Sequence, residues 1–189
     1  GLWPAVWPSA LGTAVAARWN LRGPCVSPVA ACATGVVAIL RGVLALRTGE
    51  CDIALTGSAD DSLHPGVLAA FQRLGVLAAP GEAALPCDRR RTGFVVGAGA
   101  GMLVLERRSH AVSRGVPWIA EIRGAALAAD PTGITQVATD GNALAHLLRI
   151  VVPSRDVPSA IQLHGTGTMQ NDVAECRALR AVFGDRLDA

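Results

Sequence analysis

The sequence predicts a layered α/β fold, and three observations carry that prediction. Continuous apolar runs bounded by Gly and Pro alternate with longer segments of helical periodicity, the pattern of strands buried on both faces and connected by helices. The composition is 51% hydrophobic and 17% charged, which supplies a packed core and too little charge for a disordered chain. No short tandem repeat, low-complexity tract or long linker interrupts the 189 residues.

The elements follow in chain order. The first 17 residues carry no charge, but Pro4, Pro8 and Gly12 break the run, so it lacks the basic start and unbroken apolar stretch of a signal peptide. The opening reads as mid-protein sequence. An uncharged span over 23–40 approaches the length of a membrane helix, yet Pro24, Ser27, Pro28 and Thr34 mark it as buried soluble core. Within it a strand is expected from Val26 to Ala31, followed by a helix over 34–48 that is apolar almost all round and therefore buried. Further strands are expected at Asp52 to Thr56, Gly101 to Leu105, Trp118 to Ile122 and Ala160 to Leu163, with a surface loop from Leu77 to Leu85. The segment 173–183 places Val173, Cys176, Leu179, Val182 and Phe183 on one helical face, with Gly184 as its stop, and is expected on the outside of a layer. A soft boundary near Gly115 to Pro117 divides the chain into residues 1–115 and 116–189.

Charge and cysteine usage narrow the function classes. Net charge is +2 and only Arg89, Arg90 and Arg91 cluster, so the basic stripe of a nucleic-acid binder is missing. The five cysteines, Cys25, Cys32, Cys51, Cys87 and Cys176, are odd in number and never form a C-x-x-C pair. Neither a disulfide framework nor a zinc site is indicated, and a reducing, cytoplasmic setting fits.

Cys32 lies in Gly23-Pro-Cys-Val-Ser-Pro-Val-Ala-Ala-Cys32-Ala-Thr-Gly35, at an expected strand-to-helix junction. A thiol there meets unpaired N–H groups and the positive end of the helix dipole, which favour the thiolate. Ala30, Ala31, Ala33 and Gly35 leave room for a substrate carbonyl and backbone donors. A small buried hydrophobe among alanines is the competing reading. His164 ends a short strand in His164-Gly-Thr-Gly-Thr168, where ligand sites of α/β sheets concentrate. Alone it could equally be a core histidine bonded to a threonine hydroxyl; with Cys32 it makes an acyl-transfer pair. Asp172 and Glu175, three residues apart, have the spacing of a helix cap with a reciprocal carboxylate, and Glu175 could also hold a cation near the site. Gly93 to Gly101 is glycine-rich but continues into a strand, so it is no phosphate loop and is expected to allow a bulge or close packing. His64, His110 and His146 read as structural or solvated.

In four ordered segments the chain resembles the β-ketoacyl-(acyl carrier protein) synthases, the condensing enzymes of fatty-acid and polyketide synthesis. They are Gly23-Pro24 leading to Ala31-Cys32-Ala33-Thr34-Gly35; Asp52 to Gly57; Asp88-Arg-Arg-Arg91-Thr-Gly93-Phe94-Val with Gly99-Ala-Gly101 and Leu103 to Glu106; and His164 to Thr168 with Asn171, Asp172 and Glu175. The resemblance implies a thiolase-like layered α/β/α fold, incomplete here, carrying the end of the first half and the start of the second. It implies that Cys32 accepts an acyl group from carrier-protein phosphopantetheine and that His164 stabilises the malonyl thioester during decarboxylation, with no further cofactor and no metal. Glu175 would support the site from beside it. The acyl carrier protein is the implied partner, together with a second ketosynthase-like subunit or an identical copy paired through residues 26–31. The family's second histidine, its lysine and its Gly-Phe-Gly loop have no counterpart in these residues, and Cys87, Thr92 and Ala98 stand where Phe, Asp and Glu are usual. The reading leans to an acyltransferase whose condensation depends on further parts; the alternatives are a non-catalytic ketosynthase-like subunit and a Cys/His acyltransferase or thioesterase.

Overall fold

The computed structural model describes residues 7–133, 135–153 and 157–188. In chain order the helices and strands are α1 (Ala10–Trp19), α2 (Thr34–Thr48), β1 (Ile53–Asp60), α3 (Pro65–Leu74), β2 (Gly99–Glu106), α4 (Arg108–Ser113), α5 (Asn142–Val151) and α6 (Met169–Phe183), with 3₁₀ turns at Ala31–Ala33 and Gly184–Asp188. They gather into two compact units, Gly1–Asp60 with Gly99–Glu121, and Asp61–Ala98 with Ile122–Ala189.

In the first unit β1 and β2 pair antiparallel, from Ile53 opposite Glu106 to Asp60 opposite Gly99. The approach of the two strands depends on glycine. Gly57 sits at φ 155°, and a Cβ there would overlap the Gly101 carbonyl oxygen. Helix α2 lays Gly42, Ala45 and Leu46 against the sheet, and a Cβ on Gly42 would overlap Thr56 Cγ2. Gly49, at φ 76°, stops the helix in the left-handed conformation. Arg107 then ties the ends together, donating to the Leu46 carbonyl at 3.0 Å and to Asp52 Oδ1 at 2.5 Å. The turn from β2 into α4 is held by Glu106, which meets His110 Nδ1 at 2.6 Å and Arg114 Nε at 3.6 Å.

Two expectations are corrected here. The helix over 34–48 forms as α2, but it is buried along one stripe and not all round; Val36 is 63% exposed and Leu44 45%. A two-stranded sheet covers one side of a helix, and the fully buried residues of α2 are Gly42, Ala45 and Leu46. The strands at Asp52 to Thr56 and Gly101 to Leu105 form within β1 and β2, whereas those expected at Val26 to Ala31, Trp118 to Ile122 and Ala160 to Leu163 do not. A strand is defined by its ladder, and these segments have no partner among the described residues. The first of them also turns before its end, at Ala30 (φ −144°, ψ 38°) and Ala31 (φ 46°). By length and composition alone, the helical stretch Ala31–Thr48 would suffice to cross a membrane. Its buried residues are Gly42, Ala45 and Leu46.

The second unit is organised around α6. Ala145 of α5 packs with Ala178, Val182 and Phe183 of α6, and Leu144, Leu148, Ile161 and Leu179 border the cluster. Ala174, Ala178 and Val182 recur every fourth residue, so the covered stripe is made of small side chains that admit a close neighbour. Gly141, at φ 72°, uses that space: a Cβ on it would stand 2.5 Å from the Ala174 carbonyl oxygen. The expected face is thereby rotated by about one residue, leaving Cys176 exposed. Gly184 stops α6 as expected, at φ 63°. Helix α3 begins with Pro65 at its first position and His64 as its cap, the imidazole Nδ1 accepting from the Gly66 N–H at 3.2 Å. Phe71 meets Phe94 edge to face at 5.3 Å, beside a parallel bridge between Leu77 and Phe94.

The arginine cluster is divided among three environments. Arg89 is exposed. Arg90 chelates Asp88 through Nε at 3.1 Å and Nη2 at 2.9 Å, while its own N–H donates to the same carboxylate at 2.7 Å. Arg91 points inward, its side chain 10% exposed. The hydrogen bonds from Arg90 hold the Asp88 carboxyl down at about 2, against an ordinary value of 3.8.

Two outcomes test this account. Gly57→Ala is expected to destabilise the protein by about 3 kcal/mol or more in denaturant unfolding, because backbone stands where the Cβ must go; Gly49→Ala, with open space around it, should cost less. In a carboxyl-carbon NMR titration Asp88 should stay charged down to about pH 2. Its contribution is present above the unfolded value and fades as pH falls through the folded one. In Arg90→Gln the midpoint should return toward 3.8.

Candidate active site

Cys32 sits at the centre of the 3₁₀ turn Ala31–Ala33, which runs straight into α2. Its N–H is among the first-turn donors that have no partner within a helix. Ala31 precedes it at φ 46°, a left-handed conformation that a non-glycine residue adopts only under constraint. That constraint is visible: the Ala30 N–H donates to Thr34 Oγ1 at 2.9 Å, and the Ala33 N–H to the Ala30 carbonyl at 3.0 Å. The Cys32 thiol is free and exposed, not the small buried hydrophobe of the competing reading. Gly35 lets the start of α2 approach β1, where a Cβ would lie 2.8 Å from Ser58 Oγ. Ser58 is the neighbour that sequence spacing alone could not place.

His164 belongs to the second unit and is exposed. It is therefore not a core histidine bonded to a threonine; the Thr166 and Thr168 hydroxyls bond each other at 2.8 Å. The Gly-Thr-Gly alternation works through two left-handed glycines, Gly165 at φ 57° and Gly167 at φ 71°. A Cβ on Gly167 would stand 2.6 Å from the Gly93 carbonyl oxygen, so the glycine-rich stretch is used for close packing, as expected, against this turn.

Asp172 and Glu175 are not a capping pair. Helix α6 starts at Met169 after Thr168, which puts Asp172 and Glu175 inside it. Both carboxylates instead hold turns. Glu175 accepts from the His164 N–H at 2.7 Å, the Gly165 N–H at 2.9 Å and Asn171 Nδ2 at 2.9 Å. Asp172, 1% exposed, accepts from the Cys87 N–H at 2.7 Å and the Gly167 N–H at 3.1 Å, with Arg91 Nε 3.4 Å away. Arg91 also donates through Nη1 to the Asp88 carbonyl at 2.8 Å. With its oxygens occupied by backbone donors, Glu175 supports the turn bearing His164 and is not set up as a cation ligand. The missed signal was the offset itself: carboxylates at helix positions four and seven, one turn apart, both reach the loop before the helix. Among the described residues no group of three or more His, Cys, Asp and Glu could hold a metal ion. Of the remaining histidines, His64 caps α3, His110 pairs with Glu106 and His146 is exposed on α5.

Residues 3–111 match the family model for the β-ketoacyl synthase N-terminal domain, and residues 119–188 match that for its C-terminal domain. Nodulation protein E of Rhizobium leguminosarum bv. trifolii is 38% identical over 184 residues, 96% of this chain and 45% of that protein. The mitochondrial 3-oxoacyl-[acyl-carrier-protein] synthase of Arabidopsis thaliana is 33% identical over 90% of this chain and 39% of its own length. A solved type II polyketide acyl-carrier protein in complex with its ketosynthase, bound to the hexaketide, superimposes with a TM-score of 0.86 at 30% identity, over 94% of this chain and 46% of that one. A β-ketoacyl synthase of Burkholderia phymatum does so with the same TM-score over 45% of its chain. The chain thus spans about half the length of its relatives, and its fold is the corresponding part of the thiolase-like ketosynthase fold. By both domain matches and by these relatives, the chain belongs to the β-ketoacyl synthase family.

Proposed function

We propose that this chain carries the acyl-accepting part of a β-ketoacyl synthase, with Cys32 as nucleophile and His164 as the group that stabilises the malonyl thioester. The observation that carries it is the free, exposed Cys32 thiol in the first helical turn, directly after a left-handed alanine. The Cys32 sulfur attacks the thioester carbonyl of an acyl group held on carrier-protein phosphopantetheine, and the phosphopantetheine thiol leaves. First-turn N–H groups supply donors for the tetrahedral oxyanion. Decarboxylation of a malonyl thioester then gives the carbanion that attacks acyl-Cys32, releasing the Cys32 sulfur and the extended product. The imidazole of His164 stands exposed on a turn fixed by Glu175, as a group that meets a substrate carbonyl requires. Substrates arrive on the carrier protein, so the reaction calls for no separate cofactor.

Residues 1–115 are the nucleophile-bearing part of the first thiolase-like half and 116–189 the start of the second. The partners are an acyl carrier protein and an identical or ketosynthase-like subunit, paired along the segment 26–31, where Val26 and Val29 are exposed. The polyketide ketosynthase solved with its acyl-carrier protein supports the first of these. We assign the protein to the cytoplasm, and read the apolar helix Ala31–Thr48 as a helix packed on the sheet and not a membrane span, because its buried stripe is Gly42, Ala45 and Leu46 and it carries Arg41 and Arg47.

Incubation with acyl-carrier protein should add one acyl group to Cys32, read by intact mass and peptide mapping, and Cys32→Ala should remove the adduct. His164→Ala should leave acylation largely intact and slow carbon dioxide release from malonyl-carrier protein by about 100-fold. Folded protein with no adduct on Cys32 would favour a non-catalytic subunit; free acid release would favour hydrolysis.

A further inference from the structure

Cys87 and Cys176 lie 89 positions apart in sequence and meet in the second unit. Asp172 brings them together: its Oδ2 takes the Cys87 N–H at 2.7 Å, and Cys176 follows it by one helical turn on the same face of α6. Both cysteines are free and solvent-exposed, and they line an open cavity of about 150 Å³ together with Arg91, Asp172, Val173 and Arg177. Neither residue enters the acyl-transfer reading.

We propose that Cys87 and Cys176 are a modification site, a dithiol that a low-molecular-weight disulfide converts into a reversible intramolecular disulfide. The Cys176 thiolate attacks one sulfur of the small disulfide, forming a mixed disulfide and releasing one small thiolate. Cys87 then loses its proton, attacks the Cys176 sulfur and displaces the second small thiol. Two protein S–H groups are oxidised and one small disulfide is reduced to two thiols, so atoms and electrons balance. The roles are set by the surroundings. Desolvation, then the charge of Cys176 and its hydrogen bond, then Asp172 and Glu175, push the Cys87 thiol up to about 11, which makes it the resolving partner. Capping Cys176 as a neutral mixed disulfide removes one of those obstacles just when Cys87 must ionise. The bond would join residue 87 covalently to α6, next to the Glu175 carboxylate that holds the His164 turn.

The test treats the full chain with oxidised glutathione, blocks remaining thiols and maps tryptic peptides by mass. The peptides carrying Cys87 and Cys176 contain no other cysteine. The expected result is these two peptides joined, lighter by two hydrogens than their sum and separated again by dithiothreitol. In Cys176→Ser the joined species should vanish and Cys87 should stay largely unmodified. Two separate glutathione adducts without cross-linking, or both thiols still reduced while Cys25 and Cys51 are modified, would overturn the proposal. The wild-type result decides even if the variant fails to fold, and it does not depend on whether Cys32 is acylated.

Discussion

The Asp172 carboxylate ties two other pieces of chain in the second unit to α6: the segment 87–91, through the Cys87 N–H at 2.7 Å and the Arg91 guanidinium at 3.4 Å, and the turn before the helix, through the Gly167 N–H at 3.1 Å. A carboxylate 1% exposed is tolerated only because its oxygens are met by donors and a cation. Removing one partner of such a buried pair generally costs about 3–5 kcal/mol, more than any single apolar contact in the small alanine-rich stripe of α6 could offset. Glu175, one turn further on, repeats the device at His164 and Gly165. The turn that bears the histidine is therefore shaped by carboxylates projecting from a helix, and the glycines at 165 and 167 are what let its backbone comply.

The first unit places Cys32 by steric means. Gly57 and Gly42 set the spacing between the strands and between sheet and helix, since a Cβ at either would overlap a neighbour. With α2 seated, its first turn is fixed at the Ser58 end of β1, and Thr34 closes the reversal that puts Ala31 at φ 46°. Small residues, Ala31 and Ala33, stand on either side of Cys32, whose thiol is exposed.

How much of this was legible in the sequence varies with the physical cause. The run from Thr34 to Thr48 and the Gly49 stop are local, and local periodicity finds them. Cys32 and His164 were singled out because each stands among small residues at the end of an apolar run. The strands expected at 26–31, 118–122 and 160–163 do not form because pairing is not local: an apolar run does not say which segment will lie beside it. Asp172 and Glu175 were misread for a related reason. Their spacing fits a cap, but the helix begins earlier, at Met169, and only the fold shows that the free acceptors face the preceding turn. That Cys87 and Cys176 line one cavity was invisible for the same cause, since no local pattern links residues so far apart.

The central claim is that carboxylates of α6 hold the turn presenting His164. Backbone amide exchange in wild type and Glu175→Ala tests it directly. Exchange at His164 and Gly165 should accelerate about ten- to a hundredfold in the variant, the equivalent of losing charge-assisted hydrogen bonds, while β1 and β2 amides keep their rates. Unchanged exchange at His164 and Gly165 in a folded variant would contradict the account.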